Sequence, residues 1–320
     1  MTAPAATGDA LVADSRAVLA RHARSFRLAS LLLPRAQADE AAVVYAFCRL
    51  IDDLADEAPS PEAAAEGLDQ ARAELEGRAP ARPLIAAYLE VAQRRGIPTA
   101  AAAELMRGCL DDLGPVVIED DAELLRYCYR VAGTVGLMMC GVLGVQAAAA
   151  LPHAVDLGLG MQITNICRDV REDAARGRVY LPARRLRAVG ISPDDLLSGR
   201  DDAELRAALS TVVRDLLGLA DGCYRRAWHG MHHIPWRPRA AIVVAARLYR
   251  DIGWRLRDRH QGDAWRGRTI VPAAGRALGL VRGLLQAAHP VTFGLGADRR
   301  PETCRPPLHL SLAGLGGAPG

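Results

Sequence analysis

Apolar positions recur every three or four residues along most of this chain, and the polar positions between them follow the same helical period. Ala63 to Glu76 and Asp202 to Leu219 are long examples, with Gly/Pro punctuation falling mostly between such segments. Alanine, leucine and arginine dominate, β-branched runs are short, and no stretch demands a sheet. The pattern predicts an all-α fold. Val131 to Pro152 carries no charge and is long enough to raise a membrane span, but it is rich in Gly and Ala and includes Gln146. It reads instead as a buried helix whose small side chains line a cavity. Residues 1–10 and the Pro/Gly-rich tail 290–320 lack the pattern and are expected to be loose, leaving 11–289 as one helical domain. With 320 residues, 50% of them hydrophobic, the chain can bury a core of that size, although length alone also allows two domains. No internal repeat of fixed period is present.

Two breaks in the apolar pattern carry chemistry. Asn165, Asp169 and Asp173 are four residues apart, so on a helix they drift only about 40° per step and share one stripe. Asp52 and Asp56 repeat that spacing at the end of Val43–Asp56, a segment too apolar to face solvent. A lone pair of this kind is more often a solvated face. Two such pairs in apolar surroundings point to carboxylates and an amide facing a positive guest, and hard oxygen donors suit Mg²⁺, with Mn²⁺ as the alternative. Mg²⁺ normally takes one or two carboxylates plus phosphate oxygens, so a diphosphate held between two acidic helices is the expected occupant. Arg24, Arg49, Arg168 and Arg178 are candidates for its phosphate side, since the arginine fork bonds phosphate bidentately. For Arg49 and Arg168 the alternative is an intrahelical ion pair with Asp52 or Glu172, and both roles can hold at once.

Four blocks in order resemble the squalene and phytoene synthase family of head-to-head prenyl synthases. They are His22–Phe26 followed by Leu31–Pro34, then Tyr45–Asp56, Tyr127–Gly136, and Gln162–Asp173 followed by Arg178–Pro182. The resemblance covers most of the chain and loosens after Gln261. It implies the isoprenoid synthase fold, a single large helical bundle around a central apolar cavity. It also implies metal binding by Asp52, Asp56, Asn165, Asp169 and Asp173, with Tyr45 and Arg49 in the catalytic machinery. Substrate contacts are implied for Arg24, Ser25, Phe26, Tyr127, Gln162, Arg168, Arg178 and Tyr180. The tyrosines 45, 127, 129 and 180 offer hydroxyls to phosphate or to migrating protons, and the Phe26 ring can stabilise cationic carbon.

Within the family, Asn165 to Pro182 looks closest to the bacterial phytoene-forming branch. The implied reaction is Mg²⁺-dependent condensation of two geranylgeranyl diphosphates through a cyclopropyl diphosphate to phytoene. A C30 synthase using farnesyl diphosphate is the alternative, and a non-catalytic scaffold is an alternative of another class. NADPH is not expected. Gly158-Leu159-Gly160 has neither a preceding strand nor a third glycine, so it is no dinucleotide fingerprint.

The remaining composition narrows the partners. All 40 basic residues are arginine against 37 acids, a net charge of +3 spread through the chain, and aromatics make up only 4%, so nucleic acid is not an expected partner. Seven scattered cysteines without a CxxC pair, and no signal-peptide pattern at the start, point to a reducing cytoplasmic setting. Cys48 and Cys167 are read as small apolar fillers. His229, His232 and His233 lack acidic or cysteine neighbours for a metal site. Arg276 and Arg282 alternate with Leu278, Leu280, Leu284 and Leu285. That pattern predicts an amphipathic helix that either lies on a membrane as a peripheral contact or packs against the bundle.

Overall fold

A computed structural model describes residues 4–22, 27, 30–288 and 312–318. The described chain is helical almost throughout. α1 spans Pro4–His22 and α2 spans Arg35–Asp56, followed by α3 (Pro61–Leu75), α4 (Pro83–Arg95), α5 (Thr99–Asp111) and α6 (Asp121–Cys128). A single π-type turn, Tyr129–Gly133, joins α6 to α7 (Thr134–Leu143). Then come α8 (Leu151–Arg168), α9 (Val170–Ala175), α10 (Ala183–Ala188), α11 (Pro193–Leu197), α12 (Ala203–His229), α13 (Trp236–Trp254) and α14 (Ala273–Ala287). Residues 4–10, expected to be loose, form the first turns of α1.

Local chemistry sets many of the boundaries. Ser60, Asp120 and Asp202 each cap a helix by accepting a backbone N–H three residues on, from Ala63, Glu123 and Leu205. α4 ends at Gly96 and α7 at Gly144, both left-handed, where a side chain would be strained. The only strands among the described residues are the pairs β1 (Val116–Val117) and β2 (Arg178–Val179), parallel, with Val116 opposite Arg178. This short ladder fastens the segment after α9 to the loop after α5.

α8 runs through the middle of the bundle against α7, α12 and α13, and α2 packs on α3, α4, α5 and α7 across from it. The core between them includes Phe47 stacked on Tyr88, ring centroids 3.8 Å apart. Close approach of α7 and α8 depends on glycine: a Cβ at Gly158 would lie 2.5 Å from the Ala132 carbonyl oxygen, and one at Gly136 would lie 2.5 Å from that of Ala154. The uncharged stretch 131–152 is therefore not one helix but a π-type turn, α7 and a short 3₁₀ turn at Ala148–Ala150. No described helix is long and apolar enough to cross a membrane.

Part of the Pro/Gly-rich tail is fixed. Leu312 is 1% exposed, the Tyr129 hydroxyl donates to the Gly316 carbonyl at 2.7 Å, and the Gly316 N–H donates to Glu104 at 3.3 Å. Docking satisfies a buried hydroxyl, which explains why composition alone misjudges 312–318.

Candidate active site

A cavity of about 300 Å³ opens between α2 and α8. Tyr45, Cys48, Arg49 and Asp52 face it from α2, at the 3–4 residue spacing that puts them on one side of a helix. Gly158, Met161, Gln162 and Asn165 face it from α8 on the same logic, and Val131, Ala132, Val135 and Gly136 form the small-residue wall. Ser30 also lines it, and Ala42 packs against Leu19. The wall is mostly apolar; Arg49 and Asp52 late in α2 and Gln162 and Asn165 late in α8 supply polar groups, with His153 at the start of α8 and Ser30 as further polar lining.

Those late turns of α2 and α8 lead into the two acidic ridges. Asp52 and Asn165 line the same cavity. One turn beyond Asp52, Asp56 accepts a hydrogen bond from Arg178 at 2.8 Å, and the same guanidinium acts electrostatically on Asp173 and Asp112. Arg178 thus stands between the ridges. Asp169 is paired with Arg168, whose Nε donates at 2.7 Å, and with Arg268 at 3.2 Å. Arg49 pairs with Asp53 rather than with Asp52, and also approaches Glu57.

The second ridge differs from the continuous helix expected from sequence. The backbone leaves α geometry at Asp169 (φ −106°, ψ 15°), where the carboxylate is drawn to Arg168 and Arg268, and α9 begins after it. The i→i−4 bonds survive across the kink, Asp169 N–H to Asn165 and Asp173 N–H to Asp169, both at 2.9 Å.

Charge at this end is undercompensated. Burial, opposed by a Cys109 thiol bond and Arg49 and reinforced by Asp56, pushes the Asp52 carboxyl up to about 6. Burial and the neighbouring Asp169 charge push Asp173 up to about 7. The buried Oδ1 of Asn165 accepts no hydrogen bond, while its Nδ2 reaches Gln162 at 3.5 Å. Desolvated carboxylates beside an orphaned amide oxygen fit a hard divalent cation. Among the described residues no three His, Cys, Asp or Glu side chains converge on one point, so phosphate oxygens would complete any coordination shell.

Other expected residues take different places. Tyr127 and Tyr180 stack at 4.7 Å, and both hydroxyls donate to Asp112 at 2.8 Å. Neither lines the cavity, and Tyr129 turns away to the tail. Arg24, Ser25 and Phe26 lie outside the described residues. Of the three histidines, His232 and His233 lie side by side in a 3₁₀ turn with their rings tilted 40° to each other, and the neighbouring Met231 lines the cavity. Sequence reasoning missed Asp112, Tyr249 and Arg268. Tyr249 was findable, since it continues the 242–245–249 helical spacing of cavity-lining residues on α13. Its presence, after burial itself, helps push the Tyr45 hydroxyl up to about 12.

Comparison with known proteins agrees with this geometry. The phytoene synthase of Thermus thermophilus is 42% identical over 277 residues, covering 85% of this chain and 92% of that protein. The 15-cis-phytoene synthase of a Paracoccus species is 34% identical, covering 92% of this chain and 98% of its own. A crystal structure of a dehydrosqualene synthase in complex with ligand superposes with TM-score 0.76 at 27% identity, over 88% of this chain and 98% of that one. The family profile described as squalene/phytoene synthase matches residues 19–275. The chain therefore belongs to the squalene/phytoene synthase family of prenyltransferases.

Proposed function

We propose that this enzyme is a phytoene synthase, joining two geranylgeranyl diphosphates head to head. The observation that carries the reading is Asp52 and Asn165 on opposite walls of an apolar cavity, with Asp56, Asp169 and Asp173 further along the same two ridges and outside its lining. The phytoene synthases similar to this chain favour the C40 product. Asp52, Asp56, Asn165, Asp169 and Asp173 would hold Mg²⁺, or Mn²⁺ in its place. A metal held there would supply Lewis-acid neutralisation of the leaving diphosphate's charge.

The chain's own residues do the rest. Arg49, Arg168, Arg178 and Arg268, now resting on carboxylates, present guanidinium donors beside the same ridges, where diphosphate oxygens can replace those partners. The apolar wall excludes the water that would quench an allylic cation. Loss of diphosphate from one substrate leaves that cation, which adds to the 2,3 double bond of the second and sheds a proton to give a cyclopropylcarbinyl diphosphate. A second loss of diphosphate, rearrangement and proton loss give phytoene. Tyr45 keeps its proton at neutral pH, so it serves as a hydrogen-bond donor on the cavity wall.

The test is incubation of purified protein with Mg²⁺ and each labelled prenyl diphosphate, with and without NADPH. A C40 hydrocarbon formed without NADPH is expected, together with its loss in Asp52→Ala and Asp169→Ala. A C30 product alone, from farnesyl diphosphate, overturns the reading in favour of the squalene-type alternative.

A further inference from the structure

α14 packs on α13 through glycine and turns its large apolar residues outward. A Cβ at Gly279 would lie 2.9 Å from both Leu248 and the Asp251 carboxylate, and one at Gly283 would lie 2.9 Å from Val244. Leu278, Val281, Leu284 and Leu285 are 49%, 53%, 40% and 69% exposed. A helix that commits its glycine edge to the bundle leaves an apolar stripe facing water, the reverse of an ordinary surface helix.

Beside that stripe, between α13 and α14, lies a second cavity of about 270 Å³. Four arginines line it, Arg247, Arg255, Arg259 and Arg282, against two aspartates, Asp251 and Asp258. Arg247 lies over Trp254, its Cζ 4.5 Å from the ring centroid, and pairs with Asp251 at 3.0 Å. The buried Nε of Arg255 has no hydrogen-bond partner, and among the described residues Arg255, Arg259 and Arg282 make no ion pair within 4 Å. Leu278 lines this pocket together with Arg282, one turn further on, and Leu285 continues the stripe from there.

We infer that the α13–α14 pocket binds the phosphate headgroup of an anionic phospholipid while the α14 stripe enters the acyl layer. Excess guanidinium charge supplies the recognition of phosphate, and the contiguous leucines select a lipid over free phosphate. The site uses none of the residues that line the central cavity, so it stands or falls separately from the condensation reaction.

The test is sedimentation of the full chain with vesicles of phosphatidylcholine alone or mixed with phosphatidylglycerol. Binding to the mixed vesicles is expected, with little to the neutral ones. The pair Arg255→Gln and Arg282→Gln is expected to weaken it roughly 30-fold, about fivefold for each arginine near an anionic surface. Leu278→Ser with Leu285→Ser is expected to weaken it comparably, while melting temperature and turnover of detergent-dispersed substrate stay as in the parent chain. Equal binding to both vesicle types, or arginine variants that bind as the parent does, overturns the proposal. So does saturable binding of inorganic phosphate at this pocket without vesicle preference. Failure of the full chain to bind anionic vesicles, whether residues 289–311 or a second copy covers the stripe, overturns it equally.

Discussion

Replacing Asp112 tests whether the flap carrying Arg178 and Tyr180 is clamped by a buried carboxylate. Two phenolic hydroxyls, Tyr127 from α6 and Tyr180 beyond β2, end on this one side chain at 2.8 Å each, and Arg178 and Asp56 also face it. Asp112→Ala strands both hydroxyls. An unsatisfied buried donor costs about 1–3 kcal/mol, fully felt at Tyr180 and less at half-buried Tyr127, so a loss of about 2–4 kcal/mol is expected. For a domain of this size that lowers the melting temperature by about 5–15 °C. Asp112→Asn keeps an acceptor oxygen and is expected to cost about half as much. It also removes a titration. Burial raises the Asp112 carboxyl from 3.8 to about 6, so between those values the native chain binds more protons than the unfolded one. Stability contributed by this group therefore rises as pH falls from about 6 toward 4, and is lost as pH climbs back through 6. Melting temperatures measured from pH 4 to 7 read this directly, because other acids contribute equally to both chains. The clamp is refuted if the parent and Asp112→Asn chains share one pH slope and Asp112→Ala costs less than about 1 kcal/mol.

Two further substitutions probe the packing that shapes the cavity. Gly158→Ala drives a methyl group into the Ala132 backbone, which cannot swing aside, and is expected to cost about 1–3 kcal/mol in urea unfolding; an unchanged midpoint would contradict the close helix crossing. Arg226 holds Asp156, 1% exposed, through bonds of 2.9–3.2 Å. Arg226→Met removes these charged hydrogen bonds and is expected to cost about 1.5–3 kcal/mol in urea unfolding, and a loss below about 0.5 kcal/mol would show that the pair does not tie α12 to α8.

The helical architecture and both acidic pairs were legible because their evidence is local: a four-residue spacing places Asp52 near Asp56 whatever the rest of the chain does. Asn165 is a like case, and its orphaned oxygen adds what sequence could not state. Asp112 was illegible since its partners lie 15 and 68 residues away, and next to Asp111 at a helix end it reads as an ordinary solvated acid. Arg268 reaches Asp169 from a loop nearly 100 residues downstream, where no period constrains placement. The break at Asp169 coincides with its pairing to Arg168 and Arg268, contacts that a helical period does not announce. Tyr129 shows the opposite error: a tyrosine beside the pocket wall looked available to substrate, but its hydroxyl is taken by the chain's own distant end.

The π-type turn at Tyr129–Gly133 inserts one residue beyond the α period, closed by the Thr134 N–H bonding back to the Tyr129 carbonyl. Upstream of it Tyr127 faces Asp112, while downstream Val135 and Gly136 face the hollow. The wide turn absorbs the inserted residue; placed in an unbroken α-helix, that residue would instead rotate one half against the other by about 100°. A second inserted residue would have no such turn to absorb it, so it would swing either Tyr127 off Asp112 or Val135 and Gly136 off the cavity wall.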